Sequence, residues 1–341
     1  MSDPASVSRR FKTFVIALVV ATFALTVAMR APLLNLDVSN VRHGEGTART
    51  LRHIRIWDAV GLSETHFMMR TTGTEPADRF ISDVGYLADA DGNYYYVSFP
   101  PLFPLAPYIA FKVTGVEATP LSVRIFNLFL QALGVLAMFL FARRATAREG
   151  ERFSWLAGCG AALFYATAPN LLWYHSNAYT TASLSTPFFI LAAYLAIRVV
   201  HDEAPAPWLL PAFGAAVWAV ACTEWLGVTF AAVAAVYGIV RWRDRPSRRT
   251  AIVAVVVVGV TMLAMAVQYS SIAGLSAFMA GISGKFAMRT GVSETSRDSI
   301  LSLQSWGLIA RRYFRAYQSF MVLIPLLAAP GLFVAWRRRR A

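Results

Sequence analysis

Apolar positions along this chain fall in long, nearly uninterrupted runs, at roughly 13–29, 121–142, 154–174, 181–199, 207–222, 224–240, 251–268 and 318–336. A spanning helix needs about 17–25 apolar residues to cross a ~30 Å hydrocarbon core. A ninth run, 99–113, carries prolines at 100, 101, 104 and 107. These suit it poorly to spanning and better to lying along the outer leaflet. The pattern predicts an all-α polytopic membrane protein with about eight transmembrane helices, forming a single domain over residues 1–341. Two polar stretches interrupt it. One is a large first loop, 30–113, with interfacial helices and a polar part from Arg30 to Val97; the other is 270–317. The first apolar run is longer than a signal-peptide core and leads straight into Arg30, so it is expected to stay as an uncleaved helix.

Composition agrees with that pattern. Of 341 residues, 57% are hydrophobic and 15% charged, with a mean hydropathy of +0.49. A soluble core cannot absorb so much apolar surface. The formal charge of +13 resides in clusters: Arg9, Arg10 and Lys12; Arg143, Arg144, Arg148 and Arg152; Arg241, Arg243, Arg245, Arg248 and Arg249; and Arg337 to Arg340. An even number of crossings puts all four clusters and both termini on the cytoplasmic side, as the positive-inside rule requires. Aromatic residues do not alternate with the basic ones as a stacking platform needs, which argues against nucleic acid. The same topology sets Cys159 and Cys222 near opposite membrane faces, so no disulfide is expected. The chain carries no zinc-type Cys/His spacing, P-loop, dinucleotide fingerprint or H-E-x-x-H.

Candidate chemistry gathers on the outer face, and ionisable groups at a membrane are costly and usually functional. The first loop supplies Asp37, His43, Glu45, Asp58, Glu64 and His66. A short helix is expected over 41–57, with Ala48, Leu51, Ile54 and Trp57 spaced as one face resting on the bilayer. Glu45 then sits at a helix start, where the dipole favours an ionised carboxylate. It is either a general base or a simple cap charge, and Asp37 is the competing base. Arg124 opens the second spanning helix at its outer end. Lys285, Arg289, Arg311, Arg312 and Arg315 lie in 270–317, outside the positive-inside pattern, and suggest an anionic partner. The alternatives are contact with anionic lipid, or a snorkelling belt at Arg311-Arg-Tyr-Phe-Arg315. Glu224, between two apolar helices, either caps the turn or meets an arginine or a substrate hydroxyl. His175, Asn177 and Tyr179 end the third helix, where a lone histidine is commonly a structural hydrogen-bonder. Tyr94 to Tyr96 form an aromatic belt or a sugar-stacking wall.

One stretch holds His43-Gly-Glu-Gly-Thr-Ala48, a second Tyr96-Val-Ser-Phe-Pro-Pro-Leu-Phe-Pro104, a third Leu121-Ser-Val-Arg-Ile-Phe-Asn-Leu128, and a fourth Tyr174-His-Ser-Asn177. Together, over about residues 10–245, this arrangement resembles the GT-C membrane glycosyltransferases. The nearest likeness is to the family 39 group of protein O-mannosyltransferases and aminoarabinose lipid A transferases. The resemblance implies a polyprenyl-phosphate sugar donor, an acceptor hydroxyl on a glycan, lipid or protein, and inversion at the anomeric carbon on the periplasmic side of a bacterial inner membrane. It implies Glu45 or Asp37 as base and Arg124 with outer-loop cations on the leaving phosphate. His43, Tyr96, His175, Asn177, Glu224, Lys285, Arg289, Arg311 and Arg312 would contact substrate. Two departures stand out. The family usually shows an Asp-Glu pair where this chain has Gly44-Glu45, and the chain lacks the later helices or soluble domain that often recognise the acceptor. No cofactor is implied; a divalent metal on the loop acids stays open, since no spacing singles out ligands. The competing functions are a transporter or flippase for a polyprenyl-linked glycan and a non-catalytic binding subunit. Charge-free helix interiors favour surface chemistry over passage.

Overall fold

A computed structural model describes residues 7–40, 44–73, 86–97, 100–290, 306–308 and 310–311. Of the described residues, 78% are helical. Ten helices appear among the described residues: α1 (Arg9–Leu34), α2 (Glu45–Val60), α3 (Leu102–Thr114), α4 (Pro120–Ala145), α5 (Glu151–Thr167), α6 (Pro169–Asn177), α7 (Thr181–His201), α8 (Leu209–Ala221), α9 (Leu226–Val240) and α10 (Arg245–Thr290). Two three-residue strands, β1 (Tyr86–Ala88) and β2 (Tyr94–Tyr96), pair antiparallel with Tyr86 opposite Tyr96. The hairpin departs from the all-α expectation, and it is confined to the first loop. Among the described residues, four helices are long and apolar enough to cross a membrane: α1, α4, α7 and the Arg245–Gly284 part of α10. The helices α3, α8 and α9 are apolar but shorter. The expected run 318–336 lies outside the described residues.

Local chemistry sets the helix ends. Thr119 and Ser122 form a reciprocal capping box, with Pro120 in the first turn, so α4 starts where a loop delivers it. Pro169 has no N–H to continue α5, and Ala168 before it is extended, so the expected single run 154–174 splits into α5 and α6. Gly274, at φ 82°, breaks α10. Helix resumes beyond that break to Thr290, where a polar loop from residue 270 was expected. The α8–α9 hairpin is tight: a Cβ on Gly227 would lie 2.5 Å from the Cα of Ala221.

Contacts between helix ends define two unlike ends of the bundle. At the basic end, Asp202 accepts from Arg144 and Arg198, and Lys12 pairs with Glu151. At the opposite end, the first loop folds down as a cap. Leu51 and Ile54 of α2 are buried with Phe103, Phe111, Val123, Leu130, Tyr179 and Leu184. The apolar face of α2 therefore rests on protein rather than on the bilayer, and Ala48 is exposed outside it. Met68, Leu87, Tyr95 and Val97 pack against Met265, Tyr269 and Phe278 of α10, which holds the hairpin over the bundle. Tyr95 is 2% exposed and donates to Asp89, so it belongs to the core and not to an aromatic belt. Cys159 and Cys222 are free thiols, as expected.

The cap is seated through Gly46, where an added Cβ would meet the Tyr179 carbonyl oxygen at 2.6 Å. Gly46→Val is expected to cost roughly 1–3 kcal/mol by forcing α2 away from that turn. Gly160→Ala, which faces open space, should be neutral or slightly stabilising. Thermal unfolding of the purified protein in detergent checks both.

Candidate functional site

The loop end is organised by a polar stripe on α4. Arg124, Asn127 and Gln131 recur at helical spacing on one buried face and are 1%, 0% and 0% exposed. Asn127 donates through Nδ2 to the carbonyl of Tyr174 at 2.8 Å. The Nδ1 of His175 donates to the backbone oxygen of Asn127 at 3.1 Å and reaches its side-chain oxygen at 2.9 Å. A backbone oxygen can only accept, so the imidazole proton sits on Nδ1. His175 is thereby a structural hydrogen-bonder, 1% exposed.

Arg30, in the last turns of α1, is the residue that sequence reasoning missed. It is buried and spends its whole fork on neutral oxygens. Nε donates to Thr26 O, Nη1 to Leu172 O and Ser176 Oγ, and Nη2 to Thr26 Oγ1 and Gln131 Oε1. That uses each of the five N–H donors a guanidinium carries. A signal existed: an arginine far from the basic clusters, with Gln131 set inside an apolar run.

Arg124 is only half engaged. Its Nη1 donates to Leu34 O at 2.7 Å and to Leu36 O, closing the open carbonyls at the end of α1. Its Nε and Nη2 are buried and have no hydrogen-bond partner among the described residues. Also without partners there are Gln131 Nε2, the Tyr165 hydroxyl and both side-chain amide atoms of Asn177. Buried polar atoms are normally satisfied, so this concentration marks the region as special. Asp37 lies on the link just beyond α1, exposed, and its carboxylate accepts from the Ser39 N–H at 3.0 Å. That bond, together with the nearby Arg124 charge, holds the Asp37 carboxyl below the usual carboxylate range.

The remaining candidates divide. Glu45 is the first residue of α2, as expected, and is exposed beside the Tyr179–Thr180 turn that Gly46 touches. Glu224, in the α8–α9 turn, accepts from Thr181 Oγ1 at 3.4 Å and from Ser185 Oγ at 2.9 Å, which ties it to the start of α7. Tyr96 is half-buried against the Tyr86 ring, and its carbonyl accepts from the Tyr269 hydroxyl. Lys285 and Arg289 lie on α10 beyond Gly274, but their side chains are outside the described residues. Arg311 is exposed, and His43, Arg312 and Arg315 are outside the described residues. The structure thus gathers Arg124, His175 and Asn177 with Asp37 at one rim, and Glu45 with Glu224 at the flanks of the α7 start. Among the described residues, no group of three His, Cys, Asp or Glu could hold a metal ion.

His53 adds a titratable group on α2. It is fully buried, and its Nδ1 donates to Arg70 O at 2.9 Å. Burial, reinforced by Arg49 and Arg52, pushes its pKa down to about 4. No family model matches the chain, and no curated protein matches it.

Two outcomes are expected from these contacts. Arg30→Met strips partners from Gln131 and Ser176 and should cost roughly 1–3 kcal/mol, measured by thermal unfolding, with Arg30→Lys restoring part of it. Because folding lowers the His53 pKa, the neutral ring's stabilisation is complete above the unfolded value near 6.5 and is lost as pH falls toward 4. His53→Gln should flatten the fall in unfolding temperature across that window.

Proposed function

We propose that this protein is an inverting membrane glycosyltransferase that uses a polyprenyl-phosphate sugar and acts at the loop end of its bundle. In this reading the chain crosses a bacterial inner membrane about eight times, with α5, α8 and α9 as short spans and the basic end cytoplasmic. The observation that carries it is the state of Arg124: two buried guanidinium nitrogens lack an acceptor, and a carboxylate stands within electrostatic reach at the rim. A phosphate oxygen is the acceptor that an arginine fork fits.

Asp37 is favoured as the base, because its charge couples to Arg124. It would take the proton of the acceptor hydroxyl while that oxygen attacks the anomeric carbon. The bond from that carbon to the donor phosphate breaks, and the polyprenyl phosphate leaves as an anion held by Arg124. Glu224, fixed by two hydroxyls, and Asn177 would contact the sugar or the acceptor. Tyr96 would line the approach. Buried arginines at the loop end, with no titratable relay through the span centres among the described residues, support surface chemistry over passage.

The test is sugar transfer by purified protein from a radiolabelled polyprenyl-phosphate sugar. Asp37→Asn and Arg124→Gln are each expected to lower turnover by a factor on the order of 100 or more while the protein stays folded, and Glu45→Gln to lower it less. Full activity in Asp37→Asn, with loss in Glu45→Gln, would move the base to Glu45. No sugar release by wild-type protein with any acceptor would sink the transferase reading.

A further inference from the structure

Two cavities at the basic end meet at one residue. The first, about 410 Å³, is polar and lies among α4, α5 and α7, lined by Arg143, Arg144, Arg198, Glu151, Asp202 and Tyr194 with smaller neighbours. The second, about 430 Å³, is an apolar groove between α1 and α4, walled by Val19, Phe23, Val135, Leu136 and Phe139. Arg143 and Leu140 line both.

Charge in the polar cavity is unevenly spent. Arg144 and Arg198 both bind Asp202, at 2.7 and 2.8 Å, and Glu151 is taken by Lys12 at 2.6 Å. Arg143 makes no ion pair or hydrogen bond with a described residue, although its charge also acts on Glu151. Its guanidinium lies over the Trp155 ring, 4.4 Å from the centroid, which occupies its face and leaves its in-plane donors open. Three arginines against two carboxylates leave the lining net positive, with the surplus where the groove begins. The groove has the length of one leaflet. From Ala132 to Arg143 at ~1.5 Å per residue it runs about 16 Å, half of a ~30 Å hydrocarbon core.

We propose that these joined cavities bind one anionic diacyl phospholipid of the leaflet at the basic end, with its phosphate on the open edge of Arg143 and one acyl chain along α1 and α4. The site is at the opposite end from Arg124 and Asp37 and does not depend on the transferase reading. A one-leaflet groove fits an acyl chain, and the unpaired cation selects against a zwitterionic headgroup.

Native mass spectrometry of the full-length protein, titrated with phosphatidylglycerol or phosphatidylcholine of identical chains, tests it. Wild-type protein is expected to retain phosphatidylglycerol preferentially. Arg143→Gln should lower that retention about fivefold, equivalent to roughly 1 kcal/mol for one cation at a leaflet surface. Leu136→Trp, which fills the groove from its half-exposed, lipid-facing side, should lower it with the arginines intact. Arg148→Gln, outside both cavities, should leave it unchanged. The proposal is overturned by equal retention of the two lipids, by Arg143→Gln behaving as wild type, or by an equal loss in Arg148→Gln. It is also overturned if chain-free glycerophosphoglycerol displaces the lipid at equal concentration, since the polar cavity alone would then hold the anion.

Discussion

The loop end of this bundle depends on burying two arginines among neutral oxygens. A polar group removed from water must find its partner inside the protein or cost several kcal/mol. Arg30 meets that demand with five donors to α1 itself, α4 and α6. Arg124 meets it in part by closing the carbonyls where α1 ends. The three helices α1, α4 and α6 are therefore pinned at fixed depth, a result that apolar packing in lipid does not supply on its own. From there the order propagates outward. Asn127 donates to carbonyls at the end of α6 and just beyond it, the Tyr179 N–H that follows donates to Thr47 Oγ1, and α2 is seated there.

The two ends of the molecule handle charge in different ways. At the basic end, carboxylates are supplied nearby: Asp202 serves two arginines and Glu151 serves a lysine. At the loop end the cations lie deep and the carboxylates shallow. Asp37 and Glu45 are exposed, while Arg124 is 1% exposed. A site built this way has unneutralised positive character below and an ionised carboxylate above. That polarity suits an anionic leaving group positioned beneath a nucleophile that must lose a proton. The hairpin packs on α10, whose Tyr269 and Phe278 rings, on either side of Gly274, stack 5.8 Å apart.

Much was legible along the chain because its causes are local. Runs of apolar residues fix where helices form, Thr119 with Pro120 fixes where α4 begins, and Pro169 fixes where α5 stops. Glu45 opens α2 as expected from its neighbours. The faces were less legible. Leu51 and Ile54 share a helical spacing whether they touch lipid or protein, and only the packed neighbours Phe103, Val123 and Tyr179 decide between them. Tyr95 differs from Tyr94 and Tyr96 only by strand alternation, which became evident once the hairpin register was known.

The sequence by itself determined the class of protein, the helical runs, the basic end and the residue types held in the first loop. These follow from hydropathy and capping, which act over a few residues. Tertiary structure alone decided that Arg30 is a core residue, that Arg124 keeps two donors open and that Asp37 is electrostatically coupled to it. The physical reason is separation: Arg30 meets Gln131 and Ser176 across 101 and 146 positions, and Arg124 meets Leu34 across 90. No local pattern encodes which distant oxygen will face a buried guanidinium.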